Sequence, residues 1–237
     1  MNGLVNSFGQ AVGPPVEGWS ERRRPERTAL TGRYCRIEPI DIERHAAALY
    51  DAYMQAPDSR DWTYLFYERP SSVDLFRDYL QKLAVSIDPL HYAIVDLASE
   101  RALGTASLMR IEPVHGAIEV GNIGYSPLLK QTRAGTEAMY LLMRYVFDKL
   151  GYRRYEWKCD SLNTPSRSAA RRYGFQFEGI FRKAIVYKSR SRDTAWFSII
   201  EEEWPRIRAA LEVWLGAENF DAAGRQLRTL VAIRDSL

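Results

Sequence analysis

Residues 122–179, NIGYSPLLKQTRAGTEAMYLLMRYVFDKLGYRRYEWKCDSLNTPSRSAARRYGFQFEG, hold most of the groups in this chain that could do chemistry. The run 130-KQTRAGTEA-138 reads as a turn that opens a helix. The first amides of a helix have no intrahelical acceptor, and such a run of free N–H groups binds phosphate. A polar pair, Asn163 and Ser166, follows within the same supersecondary unit. This combination suits a site that cradles a phosphate-bearing coenzyme and places polar groups beside its reactive arm.

The elements that must position these groups read clearly. The block runs strand, turn, helix, strand, short helix, strand. In the helix 133–150, Ala138, Leu141, Leu142, Tyr145, Val146 and Leu150 fall on one stripe at helical spacing, and Gly151 ends it. The strand 153–159 leads to a short helix with Pro165 in its first turn and Gly174 just past its end. Upstream, a strand at 33–39 precedes a helix at 42–54 capped by Asp41. A proline-bounded polar and aromatic loop, 57–70, and a helix at 72–85 come next. The runs 91–97, 102–111 and 117–126 suit an antiparallel meander. Strands 175–188 and 193–203 read as a hairpin, followed by a helix at 205–215 and an amphipathic tail at 221–237. A helix joining strand 117–126 to strand 153–159 implies that these two pair in parallel. The expected fold is α/β (α+β): a mixed, mostly antiparallel twisted sheet with one parallel pair and helices on both faces. The expected organisation is a tail or wrapping arm at 1–28, one domain at 29–215 and an extension at 216–237.

Parallel strands whose pairing is interrupted near their ends leave a crevice, where ligands bind in α/β sheets. Asn122, Ile123 and Gly124 lie late in the first of these strands, and Gly121 and Gly124 suit a bulge that frees backbone groups. A pantetheine arm, with its two amides, would pair with that freed edge. Its pyrophosphate would then fall on the amides of residues 131–136.

On these residues the chain resembles the GNAT acetyltransferase superfamily over roughly 30–205, and within it the RimJ/RimL-like branch of ribosomal-protein N-terminal acetyltransferases. The superfamily loop Q/R-x-x-G-x-G/A is matched by 130-KQTRAG-135, with Lys130 in the first position, Arg133 replacing a glycine and Gly135 in the last. The following 136-TEA-138 and the later Asn163, Ser166, Gly174 and Phe175 match the branch in order and spacing. The resemblance implies acetyl-CoA as co-substrate and direct transfer to an amine. It implies coenzyme contacts from Asn122, Ile123 and Gly124, from Lys130, Gln131, Thr132, Arg133, Ala134, Gly135 and Thr136, and from Asn163. Arg167 is a further cation for the phosphates. A backbone N–H near 122–124 would polarise the thioester oxygen, and Ser166 would protonate or stabilise the leaving thiolate. Structural duties stay open for the same residues. Asn163 and Ser166 suit helix caps, and Gly135 suits a crowded helix–strand approach.

A peptide α-amine, with a pKa near ~8, needs less help from a base than a lysine amine near ~10. Glu119, a carboxylate in an otherwise apolar strand beside the crevice, is the candidate base; a solvent-facing position on an alternating strand is the other reading. Trp62 and Tyr64 could wall an acceptor pocket, and Asp61 and Glu68 could hold a cationic amine.

The 237 residues, 46% hydrophobic, suit one globular domain. A net charge of +3 gives no reason to expect nucleic acid, although Arg22, Arg23 and Arg24 form a basic run. No apolar run suits a membrane span and no secretory signal is read at Met1. No metal motif is present. Cys35 and Cys159 read as buried, reduced thiols, so a cytoplasmic setting and a monomer or homodimer are expected. The alternative is a catalytically inactive CoA-binding sensor, motivated by Lys130 and Arg133.

Overall fold

The computed structural model describes residues 4–237. After a small hairpin, β1 (Leu4–Val5) and β2 (Ala11–Val12), the chain builds β3 (Leu30–Thr31), β4 (Cys35–Pro39), α1 (Ile42–Met54), α2 (Val73–Val85), β5 (Leu90–Asp96), β6 (Arg101–Glu112) and β7 (Ala117–Tyr125). It continues through α3 (Arg133–Arg144), β8 (Arg154–Asp160), α4 (Thr164–Tyr173), β9 (Gln176–Tyr187), β10 (Arg190–Ile200), α5 (Trp204–Leu215) and α6 (Leu230–Asp235). Eight strands form one sheet in the order β3-β4-β5-β6-β7-β8-β10-β9, in which only β7 and β8 run parallel. The expected mixed sheet is therefore present.

Alternation along the strands divides the core in two. Ala93 and Val95 of β5 face Leu49 of α1 and Phe76 and Leu80 of α2. Tyr92 and Ile94 point the other way, into a core shared with α3, α5 and α6. Asp41 caps α1 by accepting from the Arg44 amide at 3.0 Å, and Ser72 caps α2 from Leu75 at 3.3 Å. Glu137 of α3 is buried, and its carboxylate accepts from the amides of Arg33, Tyr34 and Cys35 at 2.7, 2.6 and 2.8 Å. Those three hydrogen bonds to one side chain tie α3 to the start of β4. Both cysteines are free and buried.

Three expectations change in detail. The helix beginning at residue 133 is α-helical only to Arg144; Tyr145–Lys149 forms a π turn, closed by the Leu150 amide on the Tyr145 carbonyl at 3.1 Å. The last hairpin turns at Lys188 and Ser189, with φ of +47° and +57°, so β10 begins at Arg190 rather than 193. A two-residue turn with both φ positive ordinarily shows itself through Asn or Gly, and neither is here. The tail is helical only at α6, which buries Leu230 and Ile233 against the body of the protein. Arg234 donates to the Arg171 and Arg172 carbonyls at 3.3 and 3.0 Å, capping the C-terminus of α4.

The N-terminal segment wraps rather than dangles. Trp19 Nε1 donates to the Val114 carbonyl at 3.0 Å, Arg22 Nε to Gly151 at 2.8 Å and Arg27 Nη1 to Ala84 at 2.6 Å. Val114 and Gly151 lie just before β7 and β8, and Ala84 lies in the last turn of α2. A chain starting at Ala29 should therefore melt at least about 4 °C lower, since each ~1 kcal/mol lost moves Tm by about 2–4 °C in a domain of this size. Coenzyme affinity at the far end of those strands should not change. Thermal unfolding and titration calorimetry check this, and an unchanged Tm would mean the arm contributes nothing to stability.

Candidate active site

The parallel ladder of β7 and β8 joins Ala117–Val120 to Arg154–Trp157 and stops there. Beyond it β7 continues to Tyr125 without a β8 partner. On its other side β7 bulges against β6: Thr105 lies opposite Gly124 and Ser107 opposite Gly121. The bulge expected from the two glycines is present, but the left-handed residue is Asn122, with φ +47°. Asn122 Nδ2 donates to Ser107 Oγ at 3.2 Å, which holds the bulge closed from below. The Tyr53 hydroxyl donates to the Gly124 carbonyl at 2.8 Å; a Cβ at Gly124 would stand 2.9 Å from that hydroxyl.

The opened strands, the start of α3 and one face of α4 enclose a cavity of about 870 Å³. Asn122, Ile123 and Gly124 line it from β7; Lys130, Gln131, Thr132 and Thr136 from the turn and α3; Asn163 and Ser166 from α4; Asp61, Trp62 and Tyr64 from the 57–70 loop. At the start of α3, Thr132 Oγ1 accepts from the Gly135 amide at 3.0 Å and donates to the Leu129 carbonyl at 2.8 Å. The amides of Gln131, Arg133 and Ala134 have no protein acceptor among the described residues. Asn163 Oδ1 accepts from the Ser166 amide at 3.1 Å, so it caps α4 while its residue lines the cavity. Trp157 Nε1 donates to Ser166 Oγ at 3.0 Å, which leaves the serine's own O–H free to point elsewhere.

A smaller cavity of about 150 Å³ shares the walls Asn122, Trp157 and Ser166 with the first. Glu119 lines this one and is buried, not solvent-facing. Its carboxylate pairs with Lys158 Nζ at 3.0 Å and Arg110 Nε at 3.1 Å. Burial raises its pKa above the ordinary carboxylate range, and the two cations only partly oppose this.

Several expected contacts are either not brought to the large cavity or already occupied there. The Arg133 guanidinium stacks on Phe220 at 4.3 Å and Tyr34 at 5.3 Å, tying the C-terminal segment to the body; with Ala134 it lines a second recess that shares Thr132 with the large cavity. Arg167 donates to the Ser161 carbonyl at 3.0 Å. Glu68 pairs with Lys188 Nζ at 3.1 Å on the surface. Lys130 Nζ and the Asp61 carboxylate pair with each other at 2.5 Å, so each already holds the charge expected to meet a ligand. Gly135 lies under the turn: a Cβ there would stand 2.6 Å from the Leu129 carbonyl oxygen. The crowding reading of that glycine is the one the geometry carries. His91 is buried in β5, and burial, then Arg27, lower its pKa to about 4.

Arg172 was not singled out from the sequence. It lines the cavity and donates to Thr136 Oγ1 at 3.3 Å, with its guanidinium 4.9 Å from the Trp214 ring. Pro165, Ser168, Ala169 and Arg172 also line the cavity, at helical spacing on one face of α4. That stripe was the signal available.

The acetyltransferase (GNAT) domain family matches residues 35–176. This match covers more than half of the chain, which therefore belongs to the GNAT acetyltransferase family. A GCN5-related N-acetyltransferase from Brucella melitensis has the same fold at a TM-score of 0.91, with 47% identity over 93% of this chain and 100% of that one. The uncharacterized N-acetyltransferase p20 of Bacillus licheniformis is 28% identical over 138 residues, 56% of this chain and 76% of the relative. RimL, a ribosomal L7/L12 α-N-protein acetyltransferase in complex with coenzyme A, shares the fold at a TM-score of 0.60 with only 19% identity over 73% of this chain and 98% of that one. The protein is an N-acetyltransferase; the RimL likeness extends to the fold alone.

Replacing Gly135 with valine should lower stability by about 1–3 kcal/mol, because the added atoms meet backbone that cannot move aside. Thermal melting checks this. An unchanged Tm would show that the turn relaxes freely.

Proposed function

We propose that the protein transfers the acetyl group of acetyl-CoA to a primary amine, on a protein N-terminus or a small molecule, by direct attack on the thioester. The observation that supports this most is that the two cavities share Asn122, Ile123, Trp157 and Ser166 as walls where β7 and β8 part. A phosphate-binding helix start lines one cavity and a buried carboxylate the other. The free amides of Gln131, Arg133 and Ala134 suit the pyrophosphate, and Arg172, which lines the same cavity and bonds Thr136 of α3, is the cation for it. The unpaired stretch of β7 offers backbone groups to the pantetheine amides and a donor to the thioester oxygen, whose charge grows as the carbon becomes tetrahedral.

Ser166 is the proposed acid. Because Trp157 occupies an Oγ lone pair, the hydroxyl hydrogen is left to donate to the departing sulfur. Glu119 is the proposed base: as the C–N bond forms and the C–S bond breaks, it takes the amine proton, directly or through water. Its raised pKa makes it a stronger base than an exposed glutamate, but it acts only when deprotonated. Activity carried by Glu119 should thus fall as pH drops through that raised pKa.

Acetyl-CoA at millimolar concentration should raise Tm, since it binds only the folded chain; no shift would remove the coenzyme assignment. Ser166→Ala should lower kcat by about 10²–10⁴-fold with little change in acetyl-CoA affinity. Normal turnover would reduce the serine to a partner of Trp157. Glu119→Gln should lose most activity near neutral pH and recover part of it in alkaline buffer, where the amine is already neutral. A pH–rate profile parallel to the wild type would move the base elsewhere.

A further inference from the structure

Arg192 is a buried arginine without an anion. The residue is 6% exposed, and its side chain makes no ion pair or hydrogen bond among the described residues; its Nε is buried with no acceptor. Only aromatic rings hold the guanidinium, with the Phe66 and Tyr187 centroids 5.7 and 6.0 Å away. Arg192 lines the smaller cavity, the one that also holds Glu119. Of the three carboxylates lining that cavity, two are paired with other cations and the third, Asp160, is bonded to neutral donors and forms no ion pair with Arg192. Glu119 pairs with Lys158 and Arg110, and Asp61 with Lys130. Asp160 accepts from the Tyr187 hydroxyl at 2.9 Å and the Leu162 amide at 2.9 Å. Thr194, 3% exposed on the same wall, has a hydroxyl with no partner either.

A buried cation left unpaired is costly, and so is a buried hydroxyl without a partner. Both costs vanish if a ligand supplies an anion with two acceptor oxygens. A guanidinium fork matches a carboxylate in this way. The cavity's ~150 Å³ is about five water volumes, room for one residue-sized group. The three carboxylates around it disfavour an anion of higher charge.

We propose that Arg192 and Thr194 form an anion-recognition subsite that takes a carboxylate carried by the acceptor within one residue of its amine. The amine then lies toward Glu119 and the strand opening. This inference rests on the acetyl-transfer reading for the word acceptor; the carboxylate subsite itself does not depend on turnover. The carboxylate has two sources, the α-carboxylate of a free amino acid or the side chain of an acidic N-terminal residue.

The test is direct binding of acetylated probes, read by fluorescence of Trp157 and its neighbours at the cavity. N-acetylalanine is compared with N-acetylalanine amide, and N-acetyl-aspartyl-alanine amide with its asparaginyl counterpart. In the wild type at least one carboxylate probe should bind about tenfold or more tightly than its neutral partner. The first pair favours the free amino acid, the second the acidic N-terminus. Arg192→Met should erase the preference, and Arg192→Lys should restore part of it. Equal binding within both pairs, no binding of any probe, or a preference that survives in Arg192→Met would each overturn the proposal. Because the wild-type comparison decides on its own, a variant that fails to fold does not protect the proposal. Coenzyme A titrated into the same wild-type sample reports separately on the acetyl-transfer reading.

Discussion

A parallel pair of strands that stops pairing halfway is the constraint on which the site depends. Up to Val120 and Trp157, β7 and β8 share a ladder; past them each strand has one unpaired edge. Unpaired backbone groups inside a protein must find partners. On the side facing β6 the bulge has its own partners: Ser107 Oγ donates to the Gly121 carbonyl at 2.9 Å and Tyr53 occupies that of Gly124. What is left open is an edge with the hydrogen-bonding pattern of a strand, which is what an amide-containing arm requires. Residues at the opening, Asn122, Trp157 and Ser166, are walls of both cavities.

Two further interactions hold that opening in place. Glu137 ties α3 to β4 through three backbone amides, setting the helix start against the crevice. Arg234 from α6 caps α4, whose other end carries Ser166 and whose face carries Arg172. The C-terminal extension thereby supports the helix that supplies the proposed acid. Arg133, at the position where the family loop has glycine, stacks on Phe220 of that extension. The departure from the family pattern in the coenzyme loop has a structural cause in this chain.

Much of this was legible in the sequence because local signals agreed with the fold. Asp41, Pro165 and Gly174 mark helix ends through backbone chemistry that needs no tertiary context, and the order of elements implied one parallel pair. What was not legible depended on partners distant in sequence. Whether Glu119 faces water or the interior is decided by Lys158 and Arg110. Lys130 and Asp61 were read separately as ligand contacts, although 69 positions apart they neutralise each other. The resemblance places the last hairpin, 187–193, beside the acceptor site, but Arg192 could not be singled out within it, because the turn at Lys188–Ser189 lacks the residues that announce it and the strand reads from residue 193.

Hydrogen–deuterium exchange with and without acetyl-CoA tests the central claim most directly, because it reads the backbone amides themselves. Binding at the strand opening predicts slowed exchange in two segments, 122–125 and 131–136, with the outer strands β4 and β9 unaffected. Protection confined to other segments, or no change at saturating acetyl-CoA, would contradict the account.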